Sequence, residues 1–294
     1  MDLRIKDGEN MNNEVNENTS VKTINWFPGH MQKARRQMEE QLKLVDIVIE
    51  LRDARIPEAS ANPMLKELSK NKPCLIILNK ADLSNDEQNK LWKQHYEHCL
   101  VLNSATENIT KTVVNEVKLI LKAKLDKAKE RGIRKKVLRA MVVGIPNVGK
   151  STFINNIVKK KVAKTENRPG VTKNLQWIRI NEDVELLDTP GVLWPKFENQ
   201  DDARLLALMG SINDSVLDKE ELVNYGLNYL KENYPGAINK RYEVDENEEN
   251  LLEAIAIKKM WLSQDNQINR SKAVDAILKD FRSDKIGKIT WQKC

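Results

Sequence analysis

Residues 140–152 read Ala140-Met141-Val142-Val143-Gly144-Ile145-Pro146-Asn147-Val148-Gly149-Lys150-Ser151-Thr152. Four apolar residues suited to a buried strand run into a glycine-rich loop, and the loop runs into a helical pattern. Gly144 to Ser151 follows G-x-x-x-x-G-K-S, the spacing that lets Val148, Gly149 and their neighbours turn backbone N–H groups toward a polyphosphate. The start of the next helix adds positive potential at the same point. Lys150 is then placed to reach the terminal phosphates, and Ser151, followed by Thr152, offers a hydroxyl to Mg²⁺. Strand, loop and helix in this order form one unit of an open α/β sheet.

Further strands are predicted on both sides of this unit. Asp46–Leu51, Cys74–Leu78 and Leu100–Leu102 precede it as short apolar runs. Leu175–Ile180 and Val184–Leu187 follow it, joined by a hairpin turn at Asn181-Glu182-Asp183. Helical periodicity covers Gln32 to about Lys43 and Lys111–Arg131, where Val114, Val117, Leu121, Leu125 and Ala128 recur at helical spacing and Gly132 supplies a stop. Six strands with interspersed helices give the α/β class. From about Ala203 the pattern is helical throughout.

The last strand ends in Asp188-Thr189-Pro190-Gly191. Asp188 is placed to hold Mg²⁺ through a water, and the Gly191 N–H to touch a γ-phosphate. Between loop and strand, Arg168-Pro169-Gly170-Val171-Thr172 offers a second hydroxyl, Thr172, to the metal when that phosphate is present.

The base is indicated by Asn79-Lys80-Ala81-Asp82, just after the strand Cys74–Leu78. A carboxylate only accepts hydrogen bonds, so Asp82 matches the N1–H and N2–H₂ donors of guanine and rejects adenine. Asn79 can bridge base and phosphate loop, and the Lys80 stem can lie on the base face. Ser104-Ala105, after the strand Leu100–Leu102, is placed to present a backbone N–H to the guanine O6.

The order of these elements is unusual. Ras-like GTPases carry the phosphate loop first and the guanine motif later, whereas here Asn79 precedes Gly144. A circular permutation accounts for this, because the ends of a compact domain lie close enough to be joined and reopened elsewhere. Read with Trp26-Phe27-Pro28-Gly29-His30-Met31 and Asp53-Ala54-Arg55-Ile56-Pro57, the ordered motifs make the chain resemble the circularly permuted GTPases. The resemblance runs from Ile24 to the C-terminus. It implies a circularly permuted Ras-like GTPase domain at 24–200 and an α-helical, RNA-binding domain at 201–294. It also implies GTP/GDP binding with Mg²⁺ and slow GTP hydrolysis. The expected role is in late assembly of the large ribosomal subunit, with rRNA as partner and no DNA.

Ras-like enzymes place a glutamine after the D-x-x-G segment to orient the attacking water. Here Val192 stands there and can do neither job of a donor or acceptor. His30, on a Pro-Gly loop, is the catalytic candidate in its place, a role the resemblance also implies. Asn147 offers another route, as a ligand to K⁺ held against the phosphates; the alternative is a loop asparagine that tolerates an unusual backbone. His95 and His98 read as surface residues.

The chain has 294 residues and a net charge of +6. Its apolar stretches are too short to span a bilayer, which excludes an integral membrane protein. Three cysteines without a Cys-x-x-Cys pair argue against a disulfide scaffold or structural zinc. Residues 1–23 are polar and acidic, with no apolar targeting segment, and read as a disordered leader of a cytoplasmic bacterial protein. Lys118–Arg139 holds ten basic and two acidic residues, and Lys258–Cys294 nine and four. With Lys159–Lys161 and Lys164, these runs suit phosphate contacts with RNA. Trp261 and Trp291 are candidates for stacking on bases, Trp261 reading better as core. The function expected is a GTP hydrolase; the alternative is a GTP-controlled RNA-binding module with incidental hydrolysis.

Overall fold

A computed structural model of the chain describes residues 31–69, 72–159, 176–188 and 199–294. Its strands are β1 (Ile47–Asp53), β2 (Cys74–Asn79), β3 (Cys99–Val101), β4 (Leu138–Gly144), β5 (Gln176–Arg179) and β6 (Val184–Asp188). They form one sheet in the order β3-β2-β1-β4-β6-β5. All neighbours are parallel except β5 and β6. That pair is the predicted hairpin, and the Asn181 side chain closes its turn by accepting from the N–H groups of Asp183 and Val184.

A sheet that is mostly parallel must be covered on both faces. On one face, Ile47, Ile49 and Leu51 of β1 join Ile77, Ala140 and Val142. There they meet α4 (Thr110–Ile120), through Val113 and Val117, and α6 (Lys150–Val158), through Phe153 and Ile157. On the other face, Val48, Met141, Val143 and Leu187 pack on Met38 and Leu42 of α1 (Met31–Leu44) and on Leu65 of α2 (Pro63–Leu68). Each Ile or Leu so buried contributes about 1.5–3 kcal/mol. Besides Asp53 at its end, β1 buries two charged residues, Glu50 and Arg52. They pair with each other at 2.8 Å, and the second Glu50 oxygen accepts the Asn62 N–H at the start of α2.

The helix predicted over Lys111–Arg131 is two helices, α4 and α5 (Lys122–Glu130). Leu121 between them leaves helical angles while staying in the core, and Lys124 beyond the break pairs with Asp46. Gly132 is the stop, with φ +75° and the Ile133 N–H returned to the Ala128 carbonyl. α3 (Asp86–His95) carries an exposed His95, whose ring edge meets Trp92.

Among the described residues all strands lie before residue 189, and helices follow: α7 (Gln200–Leu208), α8 (Lys219–Asn233), α9 (Ala237–Tyr242), α10 (Leu251–Lys258) and α11 (Arg270–Phe281). The residues after α11 then run back to the sheet. In that segment Trp291 is 2% exposed, stacked on Tyr229 and edge-on to Phe281. This corrects the stacking expectation, since no face of the indole is open to a base; Trp261 is half-buried against the core. Among the described residues no helix is long and apolar enough to cross a membrane.

Candidate nucleotide site at the carboxyl edge of the sheet

The parallel strands β1, β2, β3, β4 and β6 point the same way, so their carboxyl ends share one edge. Chain connections leave β1 and β4 in opposite directions along the sheet, and the crevice at such a reversal is where open α/β folds bind ligands.

At this edge β4 passes into the phosphate loop, and Lys150 opens α6. The loop's form follows from its small residues. A Cβ at Gly144 would lie 2.9 Å from Val148 Cγ1 and 3.0 Å from the Leu51 carbonyl. Gly149 sits at φ +94°, and a Cβ there would fall 2.5 Å from Asn79 Nδ2. Asn147 also takes a left-handed φ of 61°, which asparagine tolerates. Lys150 is buried, whereas Ser151 and Thr152 are half-buried in the first turn of α6. No partner among the described residues occupies the Ser151 hydroxyl.

Across β1, the end of β2 carries Asn79–Asp82, the segment expected to face the base. Asn79 is buried and joins three segments: its Nδ2 donates to the Val148 carbonyl at 2.8 Å, and its Oδ1 accepts the Ser104 N–H at 3.0 Å. Lys80, at a left-handed φ of 60°, donates to the Asn147 carbonyl at 2.7 Å. Asp82 is exposed, and among the described residues no hydrogen bond is recorded for its carboxylate. The Ser104 loop is fastened from α6, where Asn156 Nδ2 donates to the carbonyls of Ser104 and Glu107, both at 2.9 Å.

Neither N–H of Ser104-Ala105 is open. Ser104 gives its own to Asn79, and Ala105 donates to Asn103 Oδ1 at 2.8 Å. The Ala105 N–H can serve a base only after the half-exposed Asn103 side chain swings away.

Asp53 and Arg55 were missed as site residues, although they belong to the quoted Asp53–Pro57 motif. Asp53 ends β1 fully buried, and its carboxylate takes Arg55 at 2.8 and 2.7 Å and Lys80 Nζ at 3.0 Å. Burial opposes its ionisation, but the two cations outweigh burial and hold it well below the usual carboxylate range. Two charged residues at the end of a buried strand were the available signal.

His30, Thr172, Gly191 and Val192 lie outside the described residues, as do the leader and Arg168. Asp188 ends β6 beside Val142 of β4, with its side chain outside the description. Asn147 is used in an unforeseen way: its Nδ2 donates to the Gly210 carbonyl beyond α7 at 2.6 Å. The basic runs are partly neutralised. Lys118 pairs with Asp183, Lys135 with Glu182 and Arg139 with Glu185, whereas Arg131 and Arg134 are exposed.

Residues 139–262 match the family model described as 50S ribosome-binding GTPase. The match begins in β4, so β1 to β3 precede it. Ribosome biogenesis GTPase A of Bacillus pumilus is 45% identical over 278 residues, covering 92% of this chain and 99% of the relative. The Bacillus licheniformis protein of that name is 46% identical over 92% and 98%. A probable ribosome biogenesis GTPase A of Mycoplasma genitalium is 33% identical over 93% and 98%. GNP-bound YlqF from T. maritima has a similar fold, with a TM-score of 0.62 at 24% identity over 89% of this chain and 98% of that one. With the permuted strand order, the phosphate loop and the guanine motif in place, and relatives matched from end to end, the chain belongs to the ribosome biogenesis GTPase A family of circularly permuted GTPases.

Proposed function

We propose that the chain hydrolyses GTP as a cytoplasmic assembly factor of the large ribosomal subunit, with residues 24–200 as the GTPase domain and 201–294 as an α-helical domain that binds rRNA. The reading rests on Asn79, one carboxamide that ties the phosphate loop to both base-side segments. Asp82 selects guanine by accepting its N–H groups, Lys80 lies along the base, and Lys150 meets the terminal phosphates. Ser151 fits a magnesium–nucleotide, since its hydroxyl sits in the first turn of α6 with no competing partner among the described residues; Thr172 and Asp188 complete that set. Mg²⁺ would neutralise phosphate charge when bound.

His30 positions the attacking water in this scheme, because Val192 cannot. Asn147 stays the candidate K⁺ ligand. Its nitrogen is committed to Gly210, and its side-chain oxygen, the atom a cation needs, has no partner among the described residues. The exposed Arg131 and Arg134 supply part of the charge that rRNA phosphates require.

Single-turnover GTP hydrolysis, measured alone and with large-subunit particles, tests the proposal. Stimulation by the particles supports an assembly GTPase. An unchanged rate, with co-sedimentation that still differs between GDP and a non-hydrolysable GTP analogue, would instead mark a GTP-controlled RNA-binding module. His30→Ala should lower the stimulated rate at least about tenfold and leave nucleotide affinity unchanged.

A further inference from the structure

Asp82 has no recorded hydrogen bond of its own among the described residues, so its carboxylate takes its position from the backbone that carries it. That backbone, the turn Ala81–Leu83, is fixed on its near side by Asn79. On its far side it is fixed by the C-terminus of the chain. The Leu83 carbonyl accepts the Ile289 N–H at 3.1 Å, the Asn85 N–H donates to Thr290 Oγ1 at 2.9 Å, and Lys288 pairs with Asp86 at 2.8 Å.

The same segment reaches the other half of the base side. Trp291 and Gln292 donate their N–H groups to the Arg55 carbonyl at 2.8 and 3.2 Å. Gln292 Oε1 accepts from the N–H groups of Glu58 and Ala59 at 2.8 and 2.9 Å. Arg55 holds Asp53, Asp53 holds Lys80, and Lys80 holds the phosphate loop at Asn147.

The segment is itself firmly anchored in the helices. Thr290 has no exposure, its carbonyl accepts from the hydroxyls of Tyr229 and Tyr234, both at 2.9 Å, and Trp291 packs between Tyr229 and Phe281.

We propose that residues 286–294 are a strap that positions the base-reading turn, with Thr290 and Gln292 as positioning residues that set how sharply the protein tells guanine from other purines. The proposal rests on Asp82 as the guanine acceptor. Through the strap, the helices that would lie on RNA touch the base side of the site directly, without passing through the segments around Thr172 and Gly191.

The test compares GDP with inosine diphosphate on the full-length chain. Inosine lacks the 2-amino group, so it forfeits half of the Asp82 contact and reports the placement of that carboxylate. Thr290→Val keeps the shape and removes the acceptor for Asn85; Thr290→Ser keeps the hydroxyl. In Thr290→Val, GDP affinity should fall about fivefold, the size of one lost hydrogen bond. Inosine diphosphate affinity should fall less, so the ratio between the two shrinks, and Thr290→Ser should restore it. Equal weakening of both nucleotides, or of neither, overturns the proposal, because a general structural role would not alter discrimination. If Thr290→Val does not fold, Gln292→Ala at the half-exposed end of the strap carries the same comparison with a smaller shift. Asp82→Asn, assayed with xanthosine diphosphate, separates the layers. Without a gain for xanthine, Asp82 is not the acceptor and both ideas fall; with that gain and an unchanged ratio in the strap variants, the strap alone falls.

Discussion

The phosphate loop and the proposed base-reading turn both lie at the carboxyl edge of the sheet, after β4 and β2, yet they keep their shapes by different means. The backbone path of the phosphate loop is set by its own small residues, and Asn79 and Lys80 then hold two of its carbonyls from β2. Gly144 packs on Val148, Gly149 takes an angle that side chains resist, and α6 begins at once. The base-reading turn depends on distant chain: Asn85 meets a hydroxyl 205 positions further on, and the Ser104 loop hangs from Asn156. A binding site can therefore combine one half that is written locally with another that exists only once the fold has closed.

Asp53 joins the two halves, so its loss should have the largest effect. Asp53→Asn leaves the buried Arg55 and the half-buried Lys80 without their counter-charge, and such a break costs about 3–5 kcal/mol, measurable by denaturant unfolding. The sign of the pH dependence follows from the same pair. The folded-state pKa is depressed, so the contribution is complete above the unfolded value of about 3.9 and is lost as pH falls toward the folded one. A stability curve in which Asp53→Asn shows no smaller acid-side slope than the parent would contradict this.

Lys150→Ala breaks the local half alone. Single-turnover hydrolysis should slow by about 10²–10³-fold, the usual cost of one pre-placed electrostatic partner, while thermal unfolding shifts little. A parental rate would remove Gly144–Ser151 from the phosphate site.

Asp82→Asn breaks the non-local half alone. Competition binding should show roughly 10–100-fold weaker GTP and a turn toward XTP, since an amide no longer offers two acceptors. Unchanged GTP preference would take Asp82 out of the base pocket.

The smallest effect is expected at Asn103, and it sharpens the picture of the Ser104 loop. Asn103→Ala frees the Ala105 N–H from its present acceptor, so GDP affinity should stay level or rise by about two- to fivefold. A loss of affinity would mean that Asn103 orders the loop and does not compete with the base.

Much of this was legible before folding. The six strands were placed within a few residues, because short apolar runs in an α/β pattern have few other uses. The hairpin at Asn181 and the stop at Gly132 followed from turn chemistry. The break at Leu121 was not legible, since an apolar stripe at helical spacing looks the same whether one helix carries it or two in succession. Trp291 misled for a related reason: an indole in a basic tail suits base stacking until Tyr229 and Phe281 are known to enclose it.

By itself, the sequence determined the glycine-rich loop after β4, the Asn79–Asp82 segment after β2, their order and the α/β sheet that carries them, because each depends on residue types at fixed short spacing. Tertiary structure alone decided that Asp53 would serve Arg55 and Lys80 together, that Asn147 would reach Gly210, and that the C-terminus would return to brace Leu83 and Asn85. Apart from Asp53 with Arg55, two residues on, those contacts join backbone and side-chain atoms far apart in the chain. Backbone N–H and C=O groups are common to nearly every residue type, so no composition or period marks which of them will meet.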